Sequence, residues 1–239
     1  AKKYKVGFLD LDIYGPSLPI LVDSKEQPDF QNNKIIPKTK FNLKLMSFGF
    51  INNENSPAIW RGPMVSRMTQ QFFDNVEWGE LDYLILDLPP GTGDIQLTLV
   101  QKIKLTGAVI ITTPQNLSVV DVKKGSDMFR KVNVPILGVV ENMSGYFLKG
   151  NIENYNNNKV TIQNLDNIEI NSKGDFTVCV DLFKGGGGHL ESSRLDVPFL
   201  GKIAIDPLIS ESSDKGFPFV LKYPNSSITQ SFDNIIKKI

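Results

Sequence analysis

The sequence predicts an α/β fold: a doubly wound, mostly parallel sheet with helices on both faces, in three αβα layers. Three observations predict it. Short apolar runs at residues 6–9, 83–86, 108–112 and 134–140 alternate with stretches of helical period, the pattern of βαβ units with right-handed crossovers. Two of these runs end on acids, Asp10-Leu11-Asp12 and Asp87, where open α/β sheets place their ligands. After Asp87 and Leu88, the turn Pro89-Pro90-Gly91-Thr92-Gly93 can continue neither strand nor helix, and Asp94 then stands as an N-cap before Ile95, Leu97, Leu99 and Val100.

Bulk properties bound the function. With 239 residues, 41% hydrophobic and 22% charged, the chain can bury a sizeable core, as one domain or two small ones. Lys+Arg and Asp+Glu both number 26, so the zero net charge gives no nucleic-acid footprint. A single cysteine rules out an intrachain disulfide framework and fits a reducing, cytoplasmic setting. No apolar run approaches the roughly 20 residues of a bilayer span, so stable membrane insertion is not expected. The chain opens directly on a core strand; a targeting segment or a whole βα unit is expected upstream, which leaves a plastid or mitochondrial address open.

In chain order, residues 6–9 form a strand, followed by the loop Ile13-Tyr14-Gly15-Pro16-Ser17. Residues 22–40 read as a polar surface excursion and 43–48 as a moderately alternating strand. Trp60-Arg61-Gly62-Pro63 leads into a helix with Pro63 near its first position, where the missing N–H is harmless. Met64, Met68, Phe72 and Phe73 repeat at helical spacing and read as core. Residues 83–86 read as a strand buried on both faces. A helix over 116–131 and a strand over 134–140 follow, the strand closing on Glu141-Asn142-Met143-Ser144.

Residues 150–175 are asparagine-rich and aperiodic, a low-complexity insertion with a hairpin expected around Val160-Thr161-Ile162. A short strand over 176–183 carries Cys179, which reads as a small buried hydrophobe. Lys184-Gly185-Gly186-Gly187-Gly188-His189 lacks the G-x-x-x-x-G-K-[ST] spacing and is a weak phosphate cradle. A strand over 197–203 precedes Asp206-Pro207, which starts a short helix. The closing helix puts Ile228, Phe232, Ile235, Ile236 and Ile239 on one face, for core docking rather than a membrane surface.

Read alone, Asp87 and its turn fit either a Mg²⁺ and nucleotide site or an ordinary strand–turn–helix; Asp10 and Asp12 likewise fit a second carboxylate site or strand-end solvation. The longer motifs favour the first reading. DLDIYGPS (10–17), WRGPM (60–64), WGELDYLILDLPPGTGDIQLTL (78–99), TTPQ (112–115), ENMS (141–144) and DKGFP (214–218) resemble the Mrp/ApbC-type iron–sulfur cluster carrier ATPases, relatives of the MinD and ParA deviant P-loop NTPases. The similarity covers the whole chain except the insertion, so 1–239 is expected to be a single P-loop NTPase-like domain of MinD type.

The resemblance implies roles. Asp10 and Asp12 follow the P-loop unit and position the attacking water, with Asp10 also helping to hold Mg²⁺. Asp87 is the Walker B acid. Gly91, Thr92 and Gly93 belong to the second switch, Asn142 reads the adenine edge, and Asp206 is grouped with the nucleotide-binding residues. ATP, Mg²⁺ and a [4Fe–4S] cluster are the implied cofactors, and a homodimer, iron–sulfur apoproteins and assembly factors the implied partners. Two departures qualify this: the family's KGGVGKS loop is absent and expected upstream, and the Cys-x-x-Cys pair after ENMS is replaced by Ser144-Gly145-Tyr146-Phe147-Leu148. Cys179 is then the one candidate thiolate. The missing pair makes the chain look closer to the branch named for high chlorophyll fluorescence. The expected function is an ATP-binding, ATP-hydrolysing scaffold or carrier for cluster assembly. The alternatives are a MinD/ParA-like positioning ATPase that docks on membrane, and a non-enzymatic interaction module without a P-loop.

Overall fold

A computed structural model describes residues 4–24, 26–51, 62–90, 94–156, 160 and 168–239. Their elements run β1 (Val6–Asp10), α1 (Leu18–Leu21), β2 (Phe30–Gln31), β3 (Lys34–Ile35), β4 (Lys38–Lys40), β5 (Leu43–Ser47), α2 (Phe48–Ile51), α3 (Gly62–Asp74), β6 (Tyr83–Asp87), α4 (Asp94–Lys102) and β7 (Ala108–Thr112). There follow α5 (Asn116–Lys131), β8 (Ile136–Glu141), β9 (Tyr146–Asn151), β10 (Asp175–Val180), α6 (Gly187–Leu195), β11 (Phe199–Lys202), α7 (Pro207–Asp214), α8 (Phe219–Lys222) and α9 (Ser227–Ile236). The chain divides into two compact units, the first comprising Ala1–Thr106, Lys131–Asn133 and Glu211–Lys222, the second Gly107–Arg130, Val134–Ser210 and Tyr223–Ile239.

The first unit holds a four-stranded sheet in the order β4-β5-β1-β6. β1 runs parallel to β5 and β6, while β4 pairs antiparallel with β5. The polar excursion of 22–40 therefore ends in an edge strand, and also contains the small β2–β3 ribbon. The core gathers Leu9, Leu11, Met46, Phe48, Val65, Phe72, Trp78 and Leu99. Each such fully buried side chain contributes about 1.5–3 kcal/mol. Within α3, Phe72 is fully buried whereas Met64 is half exposed, so the apolar stripe is narrower than its spacing suggests. Gly7 is needed for packing: a Cβ there would lie 2.7 Å from Leu81 Cδ1 and 3.1 Å from the Trp78 ring.

β6 corrects an expectation. Tyr83 and Ile85 are 55% and 51% exposed, so the strand is not buried on both faces. It closes the four-stranded order, and the pleat sends residues 83, 85 and 87 to one exposed face, where the Tyr4 ring meets Tyr83 edge-on at 5.3 Å.

The second unit holds an all-parallel sheet in the order β11-β8-β7, plus the antiparallel β9–β10 hairpin. In α9, Ile228 and Ile235 are buried, and Gly201 in β11 lets Ile235 approach to 2.9 Å of where a Cβ would be. Ile236 and Ile239 are exposed, so only part of the expected face docks on the sheet. Between α5 and α6 lies a buried ionic network. Fully buried Glu191 accepts two hydrogen bonds from Arg194 (2.7 Å each) and one from Ser126 Oγ (2.5 Å), and Arg194 also reaches Asp127 at 2.8 Å.

The insertion is tied at its ends. Asp175 accepts hydrogen bonds from the side-chain amides of Asn151 (2.7 Å) and Asn171 (3.1 Å), joining the start of β10 to the end of β9. Of the hairpin expected around Val160-Thr161-Ile162, residues 161 and 162 lie outside the described residues.

A further pattern is the use of lysines on backbone carbonyls. Lys34 reaches Asp74 O at the end of α3 (2.8 Å), Lys40 reaches Val22 O just past α1, Lys44 reaches Trp78 O, and Lys238 reaches Leu200 O (2.7 Å). Asp74 O and Val22 O stand at helix ends, whereas Trp78 O lies in the loop before β6 and Leu200 O within β11.

Candidate functional site

The parallel register brings strand ends into rows. In the first unit Asp10 pairs with Ser47 on one side and Asp87 on the other, so β5, β1 and β6 finish level. Asp10 is 1% exposed and both its oxygens are occupied. Oδ1 accepts Asp12 N–H (3.0 Å); Oδ2 accepts Ser47 Oγ–H (2.9 Å) and Leu18 N–H (3.3 Å). Ser47 Oγ in turn accepts Gly49 N–H (2.9 Å). A buried carboxylate is tolerated when fully hydrogen-bonded, and this one shapes the loop between β1 and α1.

Asp12, half-buried on that loop, accepts Tyr14 and Gly15 N–H on Oδ1 at 3.0 and 3.1 Å. Its Oδ2, like the Asp87 carboxylate, has no hydrogen bond among the described residues. Partial burial, and then the negative charges of Asp10 and Asp12, push the Asp87 carboxyl above the ordinary range. Three acids thus gather and raise one another's charge cost, which a divalent cation would relieve. Among the described residues no group of three His, Cys, Asp or Glu forms a protein-only metal cage. Mg²⁺ is commonly held by one or two carboxylates acting with water and phosphate oxygens.

The second unit repeats the device. Thr112, Glu141 and Lys202 stand level at the ends of β7, β8 and β11. Glu141 is again 1% exposed. It accepts Ser144 Oγ–H (2.7 Å) on one oxygen and Gly188 N–H (2.8 Å) on the other, with Lys202 Nζ at 3.3 Å. Burial alone would raise its pKa, but the bonds from Ser144 and Gly188, then Lys202, hold the carboxyl below its ordinary value.

Asn142 follows Glu141 directly. Its backbone N–H donates to Thr112 O (2.8 Å) and its Oδ1 accepts Met143 N–H (2.9 Å); Nδ2 has no partner among the described residues. Asp206 accepts Leu208 N–H (2.9 Å) and so caps α7.

The glycine run is not a phosphate cradle. Gly187 N–H donates to Pro114 O (3.1 Å) and Gly188 N–H to Glu141, so two amides at the α6 N-terminus are already engaged. His189 stacks on Phe199 at 3.7 Å between ring centroids.

The structure therefore brings together Asp10, Asp12 and Asp87 in one unit, and carries Asn142 and Asp206 in the other. Gly91, Thr92 and Gly93 lie outside the described residues. Cys179 is exposed, against the expectation of burial, because it sits on the uncovered face of the β9–β10 hairpin opposite Phe147. Partial burial, then Asp181, raise its thiol pKa, while Lys202 opposes them. Sequence reasoning passed over Ser47, Glu141 and Lys202 as site residues. The signal for Glu141 was present: it is an acid ending a parallel strand, as Asp10 and Asp87 are.

Comparison with known proteins adds an independent line. A family model described as "ParA: NUBPL iron-transfer P-loop NTPase" matches residues 1–161 and 152–239. The chain is 41% identical over 239 residues to the iron-sulfur cluster carrier protein of Aquifex aeolicus, covering 98% of this chain and 58% of that one. It is 40% identical to the iron-sulfur cluster transfer protein NUBPL of Dictyostelium discoideum, over 98% of this chain and 66% of that one. Among solved structures, the nucleotide-binding protein from Archaeoglobus fulgidus in complex with ADP is similar with a TM-score of 0.65 and 31% identity, covering 89% and 74% of the two chains. This chain thus spans about three-fifths to two-thirds of the two curated relatives' length.

Proposed function

Because this chain belongs to the NUBPL-type iron-transfer P-loop NTPases of the ParA group, we propose that it binds and hydrolyses ATP with Mg²⁺ as a scaffold or carrier in iron–sulfur cluster assembly, handing the cluster to apoproteins. The observation that carries this is the gathering of Asp12 with Asp10 and Asp87, which end level strands, where partial burial and then the charges of Asp10 and Asp12 raise the Asp87 carboxyl above its ordinary range. A bound Mg²⁺ would supply charge neutralisation on the phosphates. Asp87 and Asp12 offer it oxygens that take no hydrogen bond from the described residues. Asp10 holds the loop that carries Asp12, so that the acid next to the attacking water is fixed before substrate arrives. Asn142 offers Nδ2 to the base, and Gly91, Thr92 and Gly93 would approach the phosphates closely, having no or small side chains. Asp206 would contribute through the α7 cap.

The phosphate cradle itself needs a G-K-[ST] loop, which this sequence does not contain, so the proposal concerns the complete gene product. The cluster is cargo. One exposed thiol, Cys179, falls short of the usual four thiolates, and a homodimer of this sequence would bring two, so in this reading the recipient or other non-cysteine groups supply the remaining ligands. A cytoplasmic or organelle-matrix setting fits this chemistry. Among the described residues no helix is long and apolar enough to cross a membrane.

The test uses the complete gene product. Mg²⁺-dependent ATP hydrolysis, loss of it in Asp87→Asn, and anaerobic uptake of iron and sulfide followed by transfer to an apo-ferredoxin are expected. A protein that neither turns over ATP nor takes up iron and sulfide would remove the proposal.

A further inference from the structure

We infer that Glu141 is a positioning residue that sets the base preference of the nucleotide site, and that the glycine run exists to serve it. This rests on the reading that Asn142 contacts the base.

The turn after β8 is held in an unfavourable shape. Met143, a long side chain, sits at φ +56°, a region that non-glycine residues adopt rarely and that persists only when neighbours enforce it. Several contacts enforce it here, among them two backbone bonds, from Ser144 N–H to Ile203 O (2.9 Å) and from Gly145 N–H to Met143 O (3.2 Å). Asn142 N–H is fixed on Thr112 O, Asn142 Oδ1 takes Met143 N–H, and Ser144 Oγ closes the turn onto Glu141 at 2.7 Å. The bond from Met143 N–H aims the Asn142 amide and leaves Nδ2 without a partner among the described residues, while the Ser144 hydroxyl ties the turn to Glu141. Glu141 is thereby the fixed point against which the Asn142 side chain is oriented.

The other oxygen of Glu141 is anchored from across the chain. Gly188 donates its N–H at 2.8 Å, and a Cβ there would lie 2.7 Å from Glu141 Cβ and 2.9 Å from the Phe199 ring. Only glycine lets the α6 backbone come so close. Gly187 is held similarly, since a Cβ there would meet Thr113 O and Val119 Cγ2 at 2.6 Å. Lys202 balances the buried charge from the third strand end. A run that carries no phosphate-loop spacing thus acquires a purpose: it brings a backbone donor to a buried acid beside the base-reading residue.

The experiment measures binding of ATP, GTP and tripolyphosphate by titration calorimetry on the complete gene product, with variants Asn142→Ala, Glu141→Gln and Ser144→Ala. Glu141→Gln and Ser144→Ala are expected to weaken ATP about tenfold, the worth of roughly one hydrogen bond, and to erode the preference over GTP as Asn142→Ala does. Tripolyphosphate, which has no base, should bind within about twofold of wild type, and the double variant Asn142→Ala/Glu141→Gln should be no worse than the single ones. Amide hydrogen exchange should quicken at Gly188 in Glu141→Gln but not in Ser144→Ala, which separates the two bonds and guards against a folding defect. If Asn142→Ala erodes the preference while Glu141→Gln and Ser144→Ala do not, or if they weaken all three ligands equally, the inference is overturned and the base-reading role of Asn142 stands. An unchanged preference in Asn142→Ala, or no nucleotide binding at all, overturns the underlying reading and this inference with it.

Discussion

Arg194→Met tests the buried network between α5 and α6. Arg194 donates four hydrogen bonds: two to Glu191 and one to Ser126 Oγ at 2.7 Å each, and one to Asp127 at 2.8 Å. Methionine keeps the apolar stem but strands the Glu191 carboxylate, fully buried, with Ser126 as its remaining donor. Breaking a buried pair from one side costs about 3–5 kcal/mol, and the lower figure applies because Arg194 is itself partly exposed. A loss of about 3 kcal/mol lowers Tm by about 6–12 °C at this chain length. Burial works to raise the Glu191 pKa, but the Arg194 bonds and then Ser126 hold it below the ordinary value of 4.5. That stabilisation is complete above pH 4.5 and fades as pH falls through the lower folded value. Urea unfolding followed by circular dichroism should therefore show the wild type and variant far apart at pH 7.5 and converging in acid. Adding Glu191→Gln to the variant should recover part of the loss, because a neutral amide is cheaper to bury. A variant within 1 kcal/mol of wild type at pH 7.5, or a gap that widens in acid, would refute the reasoning.

Three other outcomes are expected. Gly7→Val should lower stability by about 1–3 kcal/mol through overpacking and shift the emission of Trp78, whose indole N–H donates to Phe72 O; fluorescence-monitored unfolding reads both. Asp175→Ala should release the side-chain amides of Asn151 and Asn171, so that limited proteolysis between 152 and 174 quickens while Tm hardly moves. Asp87→Asn removes repulsion among the three acids and should leave the metal-free protein at least as stable, while abolishing the Tm rise that Mg²⁺ with ATP gives the wild type.

How far the sequence carried the structure depended on whether a signal was local. The helix at 116–131 and the strand at 108–112 were legible because periodicity and flanking turns agree over their whole length. Asp10 and Asp87 were legible because an acid ending an apolar run is conspicuous. β6 was found but its faces were misread, since an apolar run does not disclose what covers it. The β2–β3 ribbon and β4 were hidden by polar composition, and β9, Tyr146–Asn151, was missed because its pairing is with β10, across the asparagine-rich insertion. Glu141 needed two partners, one three residues away and one 47 residues away, and only the second distinguishes a positioning acid from an ordinary strand end. Cys179 was misplaced because hydrophobic alternation in a two-stranded hairpin cannot say which face is open.

The lysines that bind backbone carbonyls carry a consequence for covalent modification. Where a lysine pairs with a carboxylate, acetylation removes a charge and frees its partner to water. At Lys34, Lys40, Lys44 and Lys238 the partner is a backbone carbonyl: at a helix end for the first two, in a loop for Lys44 and within β11 for Lys238. Acylation there trades an ammonium with three donors for a bulkier amide with one. The damage would surface as fraying of α3, of the segment after α1 and of the β11 backbone, with little change in ionic-strength dependence. Non-enzymatic acylation would thus act on this protein as a slow loosening of its backbone at these four points, legible by hydrogen exchange alongside the lost charges.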